Sequence, residues 1–160
     1  MCIFKRKTLP HPYEQPDYSR TIDNVNISDV AHKWLDEWQV AFPNFWLIDV
    51  TVQLSLEYNY PGLAFSGEKK ILLRPEWANA GTLAHEAAHI SYSLLTDEQK
   101  QEFSQAYNPL KDKGLIKFLY SKNPYGLVSD IEGHAEIYRY LCPDFPRELH
   151  RFYPKLIKEE

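Results

Sequence analysis

One stretch limits what this chain can fold into more than any other. The spacing of Leu83, Ala84, Ala87, Ala88, Ser91 and Leu94 predicts a helix over Ala80–Leu95 with a face of small side chains. Within it lies His85-Glu86-Ala87-Ala88-His89. Residues four apart stand one turn above each other on a helix, so both imidazoles can reach a single ion. Glu86 lies about 100° round the helix from His85. That puts its carboxylate beside such an ion rather than on it, where it can hold a water and take its proton. The plain alternative is an amphipathic helix with exposed His and Glu side chains. Two imidazoles do not complete a hydrolytic metal site, which ordinarily takes three protein ligands and leaves one position to water. A chain that uses this helix for metal must therefore bring a second element across it.

The surrounding pattern offers such elements. Val30, Trp34, Leu35, Trp38 and Phe42 predict a helix from near Ser28, capped by Asn26 or Ser28 and ended by Pro43. Ile48, Val50, Val52, Leu54 and Leu56 alternate with polar residues, as in a half-buried strand. Pro61-Gly62 marks a turn. Leu63–Ser66 and Lys70–Arg74 flank Gly67-Glu68 as a short hairpin, which Pro75 stops. Thr96 with Gln99 forms a capping-box signature for a helix to about Ala106. Pro109, Gly114, Pro124 and Gly126 predict irregular structure over 108–128, and Ser129 can cap a helix to about Tyr140. Short turns are expected between Pro146 and Ile157. Helix, then strands, then helices reads as an α+β fold with a small, mostly antiparallel sheet. No repeat or linker divides the 160 residues, so the reading is a single domain, 1–160, whose Pro- and Tyr-rich residues 1–20 form an extended arm.

Composition removes several function classes. The net charge of -4 argues against a general nucleic-acid binder, which is ordinarily basic. Cys2 and Cys142 make no CxxC pair, which excludes a disulfide scaffold and a thiolate zinc site and fits a reducing compartment. No role is assigned to Cys142. No apolar run approaches ~18 residues, so no membrane span is predicted, and Met1–Lys7 has no apolar region behind it as a secretory signal would. The expectation is a cytoplasmic protein without nucleic-acid or membrane partners. No Gly-rich phosphate loop and no GxSxG motif is present. Metal, if bound, must be held by His and carboxylate.

The third ligand has several candidates. An extended motif continuing on the same helix would need Gly at Tyr92 and His at Leu95, so that route is closed. Asp130, Glu132, His134, Glu136 and His150 lie downstream. Glu132 sits in the first turn of its helix, where its other role would be the capping partner of Ser129. Glu136 is one turn further on the same face. A metal-bound imidazole usually donates its other ring N–H to a carboxylate, and Glu136 is placed to receive it. His134 points roughly 160–200° away from both glutamates, as a surface or packing histidine would.

His85-Glu86-Ala87-Ala88-His89, then Tyr125-Gly126, then Glu132-Gly133-His134-Ala135-Glu136 resemble the gluzincin clan of zinc metallopeptidases. The nearest pattern is the catalytic domain of anthrax lethal factor, with a Tyr seven residues before the first Glu of an ExxAE helix. The small, single-domain minigluzincins share that core. The resemblance runs from about Ile71 to Tyr140 and departs at Gly133-His134, where bulkier apolar residues are usual. It implies a zincin-like fold, with the sheet over the active-site helix and a lower helical part carrying the third ligand. It implies one catalytic Zn2+ held by His85, His89 and Glu132. It makes Glu86 the general base of peptide-bond hydrolysis and Tyr125 an oxyanion donor. It also implies that Ile71-Leu72-Leu73 is a sheet edge on which an extended peptide or protein substrate pairs. The alternative is a latent or regulatory zinc-binding module of the same fold. Its cleft would be blocked by a terminal segment, Pro154–Glu160 or the arm, or reserved for one protein target.

Overall fold

Val50, Val52 and Leu54 are buried while Thr51 is exposed, the two-residue period of a strand with one wet face. That strand, β1 (Thr51–Leu54), joins β2 (Gly62–Phe65) and β3 (Lys70–Leu73) in a three-stranded sheet. The computed structural model describes residues 25–34, 49–116, 128–140 and 146–153. The arm over 1–20, the segment containing Tyr125, Cys142, and the 154–160 tail lie outside the described residues. The other elements are α1 (Ser28–Trp34), α2 (Ala80–Ser93), α3 (Asp97–Asp112), α4 (Asp130–Tyr140) and a 3-10 turn over Arg147–Phe152. The fold is α+β, and among the described residues no helix is long and apolar enough to cross a membrane.

The sheet differs from the expectation in one important way. Its order is β1-β3-β2, with β3 parallel to β1 and antiparallel to β2. The sheet is therefore mixed rather than mostly antiparallel. Ile71-Leu72-Leu73 is not an edge: β3 is the central strand. The physical reason is visible in its composition. All three residues are buried, and a continuous apolar run suits a strand covered on both faces, whereas an edge strand is protected by charge or bulges. The β2–β3 hairpin turns through Ser66–Glu68 and is closed by Lys69 in the left-handed region, φ 48°.

The helices follow their caps. Asn79 Oδ1 accepts the Thr82 N–H at 2.9 Å to start α2. Thr96 and Gln99 form a complete capping box at the start of α3. α3 then runs past Pro109 to Asp112, six residues beyond the expected end near Ala106. Pro109 withholds one N–H, but the helix closes beyond it. Gly114, φ 69°, donates to Lys111 O at 3.0 Å, and Leu115 donates to Leu110 O at 2.9 Å. These two bonds make a Schellman stop, and its glycine sets the boundary. On α1, Ala31 is buried while Val30 is 43% exposed, so the inward stripe is shifted from the expected one. Leu56 is exposed as well, since the strand ends at Leu54.

α2 is the centre of the molecule. Gly81 through Ala88 are all buried, and the helix packs on β2, β3 and α4. Leu83 and Ile90 are each worth roughly 1.5–3 kcal/mol of burial. Ala84, Ala87 and Ala88 are fully buried, and their small size allows close approach. Gly133 on α4 serves the same purpose, because a Cβ there would collide with the Tyr107 phenol of α3. The departure from bulkier residues at this position is thus a packing requirement.

Candidate metal centre

A buried helix segment should not carry charged groups unless they are paired or bound. His85 and Glu86 are nevertheless 4% and 8% exposed. The partners of His85 come from α4. Ser129 Oγ accepts the Glu132 N–H at 3.1 Å and so starts this helix. The Glu132 side chain does not return to complete a capping box. It turns to α2 instead. Glu132 Oε2 lies 3.0 Å from His85 Nε2, and Oε1 lies 3.4 Å from His89 Nε2. The two Nε2 atoms are 3.1 Å apart. His85, His89 and Glu132 form a group within reach of one metal ion, each offering a ligand atom within 4.8 Å of the others. Among the described residues it is the one such group; Asp130, His134, Glu136 and His150 do not join it.

The arrangement fits a tetrahedral ion. Bonds of ~2.0–2.1 Å at tetrahedral angles separate ligand atoms by about 3.3 Å; the two Nε2 atoms are 3.1 Å apart, and each has one of the two Glu132 oxygens at 3.0 or 3.4 Å. Glu132 Oε2 is buried and meets no donor in hydrogen-bonding geometry among the described residues. Its contact with His85 Nε2 is an ion pair outside hydrogen-bonding geometry, and a cation between the two groups would satisfy both. Two imidazoles and one carboxylate beside a cleft are a donor set able to hold one metal ion.

Behind the ligands sits a second carboxylate. Glu136 Oε1 lies 3.2 Å from His85 Nδ1 and 3.1 Å from Arg139 Nη1. Burial pulls the His85 imidazolium down, but Glu132 and Glu136 alongside it, with the charge of Glu86, outweigh this. Without metal its pKa is pushed up to about 9. Burial pushes the Glu132 carboxyl up, yet His85 and His89 prevail and hold it at about 2. Glu86 moves the other way: burial raises its pKa against the pull of the two histidines. A carboxylate with a raised pKa is better matched to taking and giving a proton near neutrality.

Glu86 faces a cleft of about 560 Å³, lined by His85, His89 and Glu132 on one side and by Tyr60–Ala64 and Trp77 on the other. Gly62 is part of the construction. A Cβ there would stand 2.8 Å from Glu86 Cγ, so β2 approaches the Glu86 side chain as closely as a bare backbone can.

His134 is a packing residue, and a buried one. Its Nδ1 is 2.9 Å from the Tyr153 hydroxyl, and its Nε2 finds no hydrogen-bond partner among the described residues. The rings of Tyr92, Phe103 and Tyr138 surround it at 5.3, 5.4 and 5.1 Å. Burial pushes its pKa down to about 3, so the ring is neutral. Four expected site residues, His85, Glu86, His89 and Glu132, thus meet in one place with Glu136 behind them. Tyr125 lies outside the described residues. Ile71, Leu72 and Leu73 are interior to the sheet. Sequence reasoning missed Arg139 and Gly62. Arg139 carried a signal, a cation three residues after Glu136, but nothing in the sequence announced Gly62. Comparison with protein-family models, curated proteins and solved structures finds no match.

Proposed function

We propose that this chain is a zinc-dependent metallopeptidase of the gluzincin type its motifs resemble, with a zincin-like arrangement of sheet, α2 and α4. The observation that carries the reading is the convergence of His85, His89 and Glu132 from two helices, with Glu86 turned into the same cleft. In this reading His85 Nε2, His89 Nε2 and a Glu132 oxygen hold Zn2+. Bound there, zinc would act as a Lewis acid toward the scissile carbonyl and bring the pKa of its water toward ~7. The Glu86 carboxylate receives the water's proton and delivers it to the leaving amine. Glu136 holds the Nδ1 side of His85 and keeps its Nε2 directed at the ligand cluster.

The substrate is a peptide or protein laid along the cleft. Among the described residues β2, not β3, is the outer strand on the cleft side, and Gly62, Leu63 and Ala64 line it. Main-chain pairing to β2 would bring a scissile carbonyl past Glu86 without demanding a particular sequence. Glu86→Gln tests the proposal. It should bind zinc as the wild type does and lose peptide hydrolysis by ~10²–10⁴-fold. Full hydrolysis by that variant would refute Glu86 as the base.

A further inference from the structure

Glu136 is the most enclosed charge at the site, with a side chain 1% exposed. It is also the group that touches the far nitrogen of His85. A carboxylate in such surroundings is fixed only if donors or a cation meet it. Arg139 stands one turn along α4 with its side chain 8% exposed, and Nη1 lies 3.1 Å from Glu136 Oε1. Its other nitrogens reach across to α2. Nε donates to Gly81 O at 3.3 Å, and Nη2 donates to Thr82 Oγ1 at 3.4 Å. Gly81 and Thr82 are the first turn of α2, one turn ahead of His85.

We propose that Arg139 is a positioning residue for the metal centre. Its guanidinium ties Glu136 to the first turn of α2 and so sets the direction of the His85 imidazole. The inference rests on the zinc reading above. The chemistry calls for arginine. A planar fork can meet a carboxylate, a backbone carbonyl and a hydroxyl in fixed directions, whereas a lysine ammonium is a point charge on a flexible stem. The contact with Glu136 is made within α4, so this half of the device is present as soon as the helix forms. The contacts with Gly81 and Thr82 form only when α4 docks on α2. Docking and ligand orientation are thereby coupled through one side chain.

A merely structural staple would make the same helix contacts, so the test must separate the two roles. Arg139→Met and Arg139→Lys are made in the full chain, each alone and combined with Glu136→Gln. Zinc dissociation constants are measured by competition with a chromophoric chelator, the Co2+ d–d spectrum is recorded, and metal-free thermal melts monitor folding. Arg139→Met should weaken zinc ~10–100-fold, the range typical of lost outer-sphere support, and should shift the Co2+ bands. Arg139→Lys should fold well and still lose on the order of tenfold. On the Glu136→Gln background either change should have little further effect on affinity, because the carboxylate it positions is gone. If Arg139→Met does not fold, Arg139→Lys carries the test. Wild-type zinc affinity in the folded variants overturns the inference, and so does an equal loss with or without Glu136. A wild-type chain that binds no zinc at all overturns the zinc reading first, and this inference with it.

Discussion

Replacing Gly62 with alanine tests how tightly the cleft is built around Glu86. The backbone does not require glycine there, since Gly114 is the one positive-φ glycine among the described residues. What excludes a side chain is proximity. The added Cβ would lie 2.8 Å from Glu86 Cγ, 3.1 Å from its Oε1 and 3.1 Å from Leu73 Cδ2. Ordinary contact begins at 3.4 Å, so one side must yield by about 0.6 Å. β2 is poorly placed to yield, because Gly62 is registered opposite Leu73, which is itself fully buried. The Glu86 carboxylate therefore swings from its place beside the histidines. A misplacement approaching ~1 Å costs on the order of 10²-fold in rate, or about 2.7 kcal/mol of transition-state stabilisation. Overpacking destabilises by ~1–3 kcal/mol, and the lost backbone freedom of glycine offsets ~0.4–1 kcal/mol of that. Gly62→Ala should thus keep its zinc, melt a few degrees lower and lose about 10²-fold in kcat/KM on a quenched fluorescent peptide. Wild-type kcat/KM in a zinc-loaded variant would refute the close-approach argument.

Gly133→Ala should be more damaging to the fold, because its Cβ meets the fully buried Tyr107 phenol rather than a movable chain end. A loss of about 3 kcal/mol or more in chemical denaturation is expected, at the upper end of overpacking effects. Zinc binding should release protons. In the metal-free chain His85 is protonated below about 9, and zinc takes only the neutral ring, so calorimetry at pH 7 in buffers of different ionisation heat should count about one proton per zinc. The same raised pKa fixes the sign for metal-free stability. The His85 contribution is complete below the ordinary value of 6.5 and fades as pH rises through about 9. The lowered Glu132 pKa acts oppositely: its contribution is present above 4.5 and is lost as pH falls toward about 2. Thermal melts of metal-free protein from pH 3 to 10 should therefore show both flanks, and zinc-loaded protein should lack the alkaline one.

Local chemistry was legible in the sequence, and proximity was not. The Thr96–Gln99 box, the Ser129 cap and the β2–β3 hairpin are each written within a few residues, and all three appear in the structure. The ligand helices could be placed because residues four apart share a face. Strand order is different, since it depends on which neighbours a strand meets. The family resemblance implied an edge, but the uninterrupted Ile71-Leu72-Leu73 was the stronger signal and marked a strand buried on both sides. Pro109 counted toward irregular structure over 108–128, yet the helix runs through it and the left-handed Gly114 is the stop. Gly133 looked like a departure from a pattern. Its cause, Tyr107, sits on another helix and is met only in the folded chain. Arg139 and Gly62 belong to the same class. Each matters for what stands next to it in space, across α2 in one case and across β2 in the other.

The central claim is a zinc ion held by two histidines of α2 and one glutamate of α4, and elemental analysis of purified chains tests it most directly. The account predicts about one zinc per wild-type chain, near-complete loss in Glu132→Ala, and unchanged zinc in His134→Phe. A zinc-free wild type after exposure to the metal would contradict it, as would loss of zinc in His134→Phe with retention in Glu132→Ala.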